Sequence, residues 1–110
     1  MDKLIIKGGS KISGSVNVHG SKNSALPIIV SSLLSKKTLK LSNVPNVVDV
    51  LNLIKLLKNY GVKIEHKKNK LKINPSKIKN LSADYDVVRK MRASILILGP
   101  LLSRFGEARI

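Results

Sequence analysis

The chain has 110 residues, room for one small domain and not two. It is 43% hydrophobic with a mean hydropathy of +0.04, too apolar for a disordered tail, and with 3% aromatic residues and no tryptophan its core must be aliphatic. Twenty-one basic residues against six acidic ones leave a formal charge of +15, the profile of a partner for nucleic acid, a membrane surface or small anions.

Residues 3–7 read as a short strand closed by the turn Gly8, Gly9, Ser10, and residues 13–18 as a second strand able to pair with it as a hairpin. Gly20 breaks this pattern. From residue 24 to 34 the apolar residues Ala25, Leu26, Ile28, Ile29, Val30, Leu33 and Leu34 cover most of a helix, with Pro27 near enough to its start to be tolerated. This helix is expected to be buried on nearly all sides. Residues 38–42 alternate as a strand wet on one face. Asn46 is a good N-cap, with Asp49 three residues on where its carboxylate can reach back. The helix that follows carries Val47, Val50, Leu51, Leu53, Ile54 and Leu57 on a broad stripe and stops at Gly61. Residues 62–66 and 71–73 then read as strands paired around a tight turn at Lys68 and Asn69.

A last helix is expected from Ser82 or Asp84 to Arg104, bent at Pro100 and ended by Gly106, with Ala108, Arg109 and Ile110 opening another strand. The order is strand, helix, strand, helix, strand, strand, helix, strand, an α/β alternation with short connections. Ending inside a strand reads as a piece of something longer. No internal repeat or low-complexity linker stands out.

The charge itself reads as an ordinary solvated surface. Only Arg89, Arg92, Arg104 and Arg109 are arginines, and the lysines are scattered from Lys3 to Lys90 instead of forming a block. Tyr60, Tyr85 and Phe105 are too few and too separated to stack bases. The absence of cysteine excludes disulfides, thiolate metal sites and a cysteine nucleophile within these residues. The apolar stretch Leu4, Ile5, Ile6 is too short for a secretory signal, and the longest apolar runs fall far below the ~20 residues that span a bilayer. A soluble, cytoplasmic protein is expected.

Two places could hold an anion. Gly20, Ser21, Lys22, Asn23 and Ser24 stand between a strand and a helix N-terminus, where free backbone N–H groups and an adjacent lysine suit a phosphate or carboxylate. The bland alternative makes Ser21 or Asn23 a cap and Lys22 a surface residue. A P-loop is excluded, because five residues separate Gly14 from Gly20 and Ser21 precedes the lysine, where that motif needs four and none. Arg92, four residues after Val88 and three before Ile95, falls on the apolar stripe of the last helix, where a guanidinium must find a partner. Its planar fork suits a phosphate or carboxylate, and an internal salt bridge is the alternative. Arg89 and Lys90 point elsewhere and are solvated. Asp84 and Asp86 serve the helix's first turn. His19 and His66 lack metal-site spacing, so no metal is expected.

Residues 20–27 read GSKNSALP, 43–50 read NVPNVVDV and 84–106 read DYDVVRKMRASILILGPLLSRFG. In this order and spacing the three motifs resemble the UDP-N-acetylglucosamine 1-carboxyvinyltransferase family of enolpyruvyl transferases, matching only the opening part of such an enzyme. The resemblance implies an inside-out α/β barrel, helices towards the middle, built from βαβαββ units. Residues 20–110 would be the first unit and the start of the next, and residues 1–19 a strand segment of the second domain. It further implies that Lys22 binds phosphoenolpyruvate and acts in the transfer, that Asn23 contacts substrate beside it, and that Arg92 contacts the UDP-sugar. The implied reaction transfers the enolpyruvyl group to the sugar 3′-hydroxyl, the committing step of peptidoglycan synthesis, with no cofactor and with neither nucleic acid nor a membrane as partner. The family's proton-donating cysteine or aspartate would lie past Ile110 with the rest of the enzyme, so these residues alone are expected to be inactive. Two other readings stand beside it. In the shikimate-pathway enolpyruvyl transferase the lysine is followed by serines and an arginine, unlike Lys22, Asn23, Ser24, Ala25, Leu26, Pro27. A small basic nucleic-acid-binding protein would account for the charge but not for an apolar first helix.

Overall fold

The computed structural model describes residues 1–79, 81–82, 85–89 and 91–109, with only the backbone of Tyr85 and Val87. Helix α1 (Lys22–Ser31) runs into a 3-10 turn (Ser32–Leu34), followed by strand β1 (Leu39–Leu41) and helix α2 (Val48–Asn59). Strands β2 (Lys63–Lys67) and β3 (Lys70–Asn74) form the hairpin, and α3 (Tyr85–Val88), a 3-10 helix (Arg92–Ile97) and α4 (Leu98–Phe105) complete the chain.

The sheet order is β1-β3-β2, with β3 antiparallel to both neighbours. β1 and β2 therefore run parallel with α2 as their crossover, and the hairpin returns β3 between them, a split βαβ arrangement. Alternation along β3 decides the faces: Leu71 and Ile73 are buried, Lys70 and Lys72 exposed. The register sets Leu39 and Ile64 opposite Ile73, and Leu41 and His66 opposite Leu71, so one face is an apolar row. The two-residue turn at Lys68 and Asn69 has Lys68 at φ 51°, the left-handed backbone that a tight hairpin requires.

Against that row packs α2, whose buried residues Val50, Leu53, Ile54 and Leu57 recur at three- and four-residue spacing. Each such aliphatic side chain contributes roughly 1.5–3 kcal/mol by leaving water. Leu56 is buried in place of Leu51, which is 37% exposed. Gly61 ends the segment at φ 99°. The expected Asn46 cap is not formed: the cap position is Val47, no side chain bonds there, and the Asp49 carboxylate is turned outward to a lysine.

Further expectations are corrected. Residues 1–19 form no strand, and Leu4, Ile5, Ile6, Ile12, Val16 and Val18 are all exposed. A lone two-stranded hairpin with neither face covered gains too little to offset ordering the chain. α1 begins at Lys22 and is buried on one face only, through Ala25, Leu26, Ile29 and Val30, while Ile28 is 46% exposed.

The last helix is not continuous. Met91 adopts an extended conformation (φ −132°, ψ 114°) between α3 and the 3-10 helix. An unbroken helix would hold Arg92 on the buried stripe; the break turns Met91 inward and leaves Arg92 exposed, which avoids desolvating a guanidinium. Pro100 lies in the first turn of α4, directly after the 3-10 helix. Gly106 caps α4 at φ 75°, its N–H donating to Leu102 O at 2.9 Å. Arg109 then bridges Ser82 in parallel, the opening of a strand. Asp84, Lys90 and Ile110 lie outside the described residues.

Candidate functional site

The route into α1 is fixed by a close approach. The Gly20 N–H donates to Asn43 Oδ1 at 3.2 Å, and a Cβ on Gly20 would collide with the Asn43 carbonyl. Ser21 is extended and its hydroxyl makes no cap bond, so Lys22 and Asn23 open the helix. With no acidic residue in that turn, the leading N–H groups of α1 keep their positive potential.

Asp49 sits in the first turn of α2, and Arg92 opens the 3-10 helix after the break at Met91. These helix starts converge: Lys22, Asn23, Asp49 and Arg92 line one cleft of about 390 Å³, with the buried Leu26 and Met91 as its apolar wall. Lys22 Nζ lies 2.8 Å from Asp49 Oδ2, both side chains nearly half exposed. Arg92 is exposed and makes no hydrogen bond or ion pair among the described residues. Two cations, one carboxylate and free helix N–H groups suit a ligand with more than one anionic group, gripped by point charge at Lys22 and by a planar fork at Arg92.

The chain has a second cleft, of about 430 Å³, on the outer face of the sheet, lined by Lys40, Ser42, Glu65, Lys67, Lys70 and Lys72. It brings no helix N-terminus and no arginine to a ligand, and its lysines stand on strands as a solvated face.

Lys22, Asn23 and Arg92, all legible in the sequence as site candidates, are brought together, although Arg92 arrives by a broken helix and not along an apolar stripe. In the sequence Asp49 reads as a carboxylate reaching back to the Asn46 cap, and nothing there couples position 49 to position 22. Arg104 is structural: it donates to Leu33 O at 3.1 Å and Ser35 O at 3.2 Å and lies 4.9 Å from the centre of the Phe105 ring. Arg89 is exposed, as expected, and pairs with Asp86 at 3.3 Å. Among the described residues no group of histidine or carboxylate side chains could hold a metal, and no helix is long and apolar enough to cross a membrane. Tyr60 is buried at the end of α2, its hydroxyl without a partner among the described residues, and burial pushes that hydroxyl's pKa up.

The family model described as EPSP synthase (3-phosphoshikimate 1-carboxyvinyltransferase) matches residues 6–110. The UDP-N-acetylglucosamine 1-carboxyvinyltransferase of Campylobacter hominis is 52% identical over 111 residues, all of this chain and 27% of that protein. Those of a Sulfurovum species and of Geotalea uraniireducens are 52% and 49% identical over 110 residues, again all of this chain and 26% of each protein. The chain therefore spans about a quarter of the length of these curated relatives. Among solved structures, the enolpyruvyl transferase NikO from Streptomyces tendae superposes with a TM-score of 0.79 at 22% identity, covering 92% of this chain and 24% of that one, a likeness of fold. Matched by the family model over residues 6–110 and by whole-chain relatives at about half identity, this chain belongs to the EPSP synthase family of 1-carboxyvinyltransferases.

Proposed function

We propose that this chain supplies the anion-binding part of an enzyme that transfers the enolpyruvyl group of phosphoenolpyruvate to the 3′-hydroxyl of UDP-N-acetylglucosamine. The observation that carries the reading is the convergence of Lys22, Asn23 and Arg92, from separate helices, on one cleft. In it, Lys22 is catalytic and binds phosphoenolpyruvate, Asn23 contacts substrate beside it, and Arg92 takes the UDP-sugar. The sugar hydroxyl gives up its proton and adds to C2 of phosphoenolpyruvate as C3 is protonated; the C2–O bond to phosphate then breaks while C3 loses a proton, which restores the double bond as the enolpyruvyl ether. Fixed cations favour that step because negative charge gathers on the departing phosphate.

Residues 20–110 act in this reading as the first unit of one domain and the start of the next unit, with residues 1–19 pairing in the other domain. The exposed aliphatic side chains of that segment support this, since they have no partner strand here. The setting is cytoplasmic, in peptidoglycan synthesis and through it in cell shape and division, without cofactor, nucleic acid or membrane.

One observation favours a second reading: the matching family model is described by its shikimate member. Half identity to the sugar-nucleotide enzymes and the order Lys22, Asn23, Ser24, Ala25, Leu26, Pro27 weigh against it. The test is a hybrid in which these residues replace the matching 111 of the Campylobacter hominis relative. Phosphate release that requires both phosphoenolpyruvate and UDP-N-acetylglucosamine, and that Lys22→Ala abolishes, is expected. A folded hybrid that is inert, or that accepts shikimate 3-phosphate instead, would overturn the reading.

A further inference from the structure

We propose that Asp49 is the positioning residue of the cleft, holding the Lys22 ammonium in place before an anionic ligand arrives; this rests on the reading of the cleft as the phosphoenolpyruvate site. The first turn of α2 carries Asp49 to the mouth of the cleft, and its Oδ2 lies 2.8 Å from Lys22 Nζ. The side chains are 48% and 43% exposed. A pair so open to water adds little to stability, so folding alone does not account for the contact. What the pair does is geometric. Lysine has a flexible four-carbon stem, and ordering it is a cost that a ligand would otherwise meet on binding.

An ammonium carries three donors. One is taken by Asp49, and the others remain for a phosphate or carboxylate. Asp49 is the one acidic side chain among the described residues that line the cleft. With Lys22 and Arg92 the cleft stays cationic, so the carboxylate steers Lys22 without cancelling the attraction for an anion. Arg92, with no partner among the described residues, needs no such exchange and marks the second contact point.

The reading of Asp49 as a helix-start residue makes a different forecast. Asp49 lies in the first turn of α2 and not at its cap, Val47, so Asp49→Asn removes the charge and its modest helix-dipole gain while leaving the hydrogen bonds of α2 in place. Ammonium-detected 1H–15N NMR on the 110-residue chain, with the Lys22 signal assigned by its loss in Lys22→Arg, separates the two. In the native chain the Lys22 ammonium is expected to be motionally restricted relative to the exposed Lys36. In Asp49→Asn it should fall to the Lys36 level, and its shift on adding phosphoenolpyruvate should shrink at least about twofold. The dissociation constant of phosphoenolpyruvate read at the Asn23 backbone amide should meanwhile change less than about threefold, as for loss of one exposed charge. Asp49→Glu should recover part of the ordering, with far-UV circular dichroism unchanged throughout. If Lys22 in Asp49→Asn keeps its native order and ligand response, the proposal is wrong. If the native chain shows no saturable response at Lys22 or Asn23, the site reading fails, and the ligand-free comparison of Lys22 with Lys36 still decides the role of Asp49.

Discussion

Replacing Gly20 by alanine tests whether the crossing of two backbone segments holds Lys22 and Asn23 at the cleft. The new Cβ would meet the Asn43 carbonyl and approach Pro45 Cδ to 3.3 Å. Asn43 has little room to retreat: its backbone is left-handed at φ 54°, and its side-chain oxygen accepts the Gly20 N–H at 3.2 Å. Overpacking of this kind costs about 1–3 kcal/mol, and loss of the hydrogen bond about 0.5–1.5 kcal/mol. The expected destabilisation is therefore about 1.5–4.5 kcal/mol, a large share of the ~5–15 kcal/mol that holds a domain together. Urea unfolding followed by far-UV circular dichroism measures it, with Gly8→Ala as control, since a Cβ at Gly8 meets nothing within 4 Å. A Gly20→Ala chain within about 0.5 kcal/mol of native, the range of an ordinary surface change, would refute the reasoning.

Arg104→Ala removes two hydrogen bonds to the carbonyls of Leu33 and Ser35 and the contact with Phe105, and should cost about 1–3 kcal/mol in the same urea assay. Burial raises the Tyr60 pKa above its ordinary 10.0, so above about pH 10 the folded chain keeps a proton that the unfolded chain has lost. Stability should consequently fall as pH rises past that point, and Tyr60→Phe should flatten the alkaline limb of a melting-temperature profile. Incubated alone with phosphoenolpyruvate and UDP-N-acetylglucosamine, the 110 residues should release no phosphate in a colorimetric assay, because the chain has no cysteine and the acid at its cleft is ion-paired.

Local patterns with a local cause were legible in the sequence. The hairpin at Lys68 and Asn69, the wet face of β1, the stop at Gly61 and the cap at Gly106 follow from alternation and from backbone conformations that few residues adopt. What escaped depends on contacts distant in sequence. Residues 3–7 have the apolar run and residues 13–18 the alternation of strands, yet no strand forms there without a partner. The break at Met91 has no glycine or proline to announce it; it follows from the cost of burying Arg92, a property of the packed molecule. Asp49 looked like a helix-start carboxylate because its partner, Lys22, is remote in the chain and meets it only when α1 and α2 pack. Even so, both cationic site candidates were identifiable, one from a lysine at a helix start, the other from an arginine with too few acids to answer it.

In the proposed function Lys22 and Arg92 serve one reaction centre. A crystal structure of the hybrid transferase with phosphoenolpyruvate and UDP-N-acetylglucosamine bound tests it most directly. Lys22 Nζ is expected at about 2.7–3.2 Å from an anionic oxygen of phosphoenolpyruvate, with Arg92 on the UDP-sugar in the same cleft. Ligands seated away from both side chains, on the lysine face of Lys40 and Lys72 for instance, would contradict it.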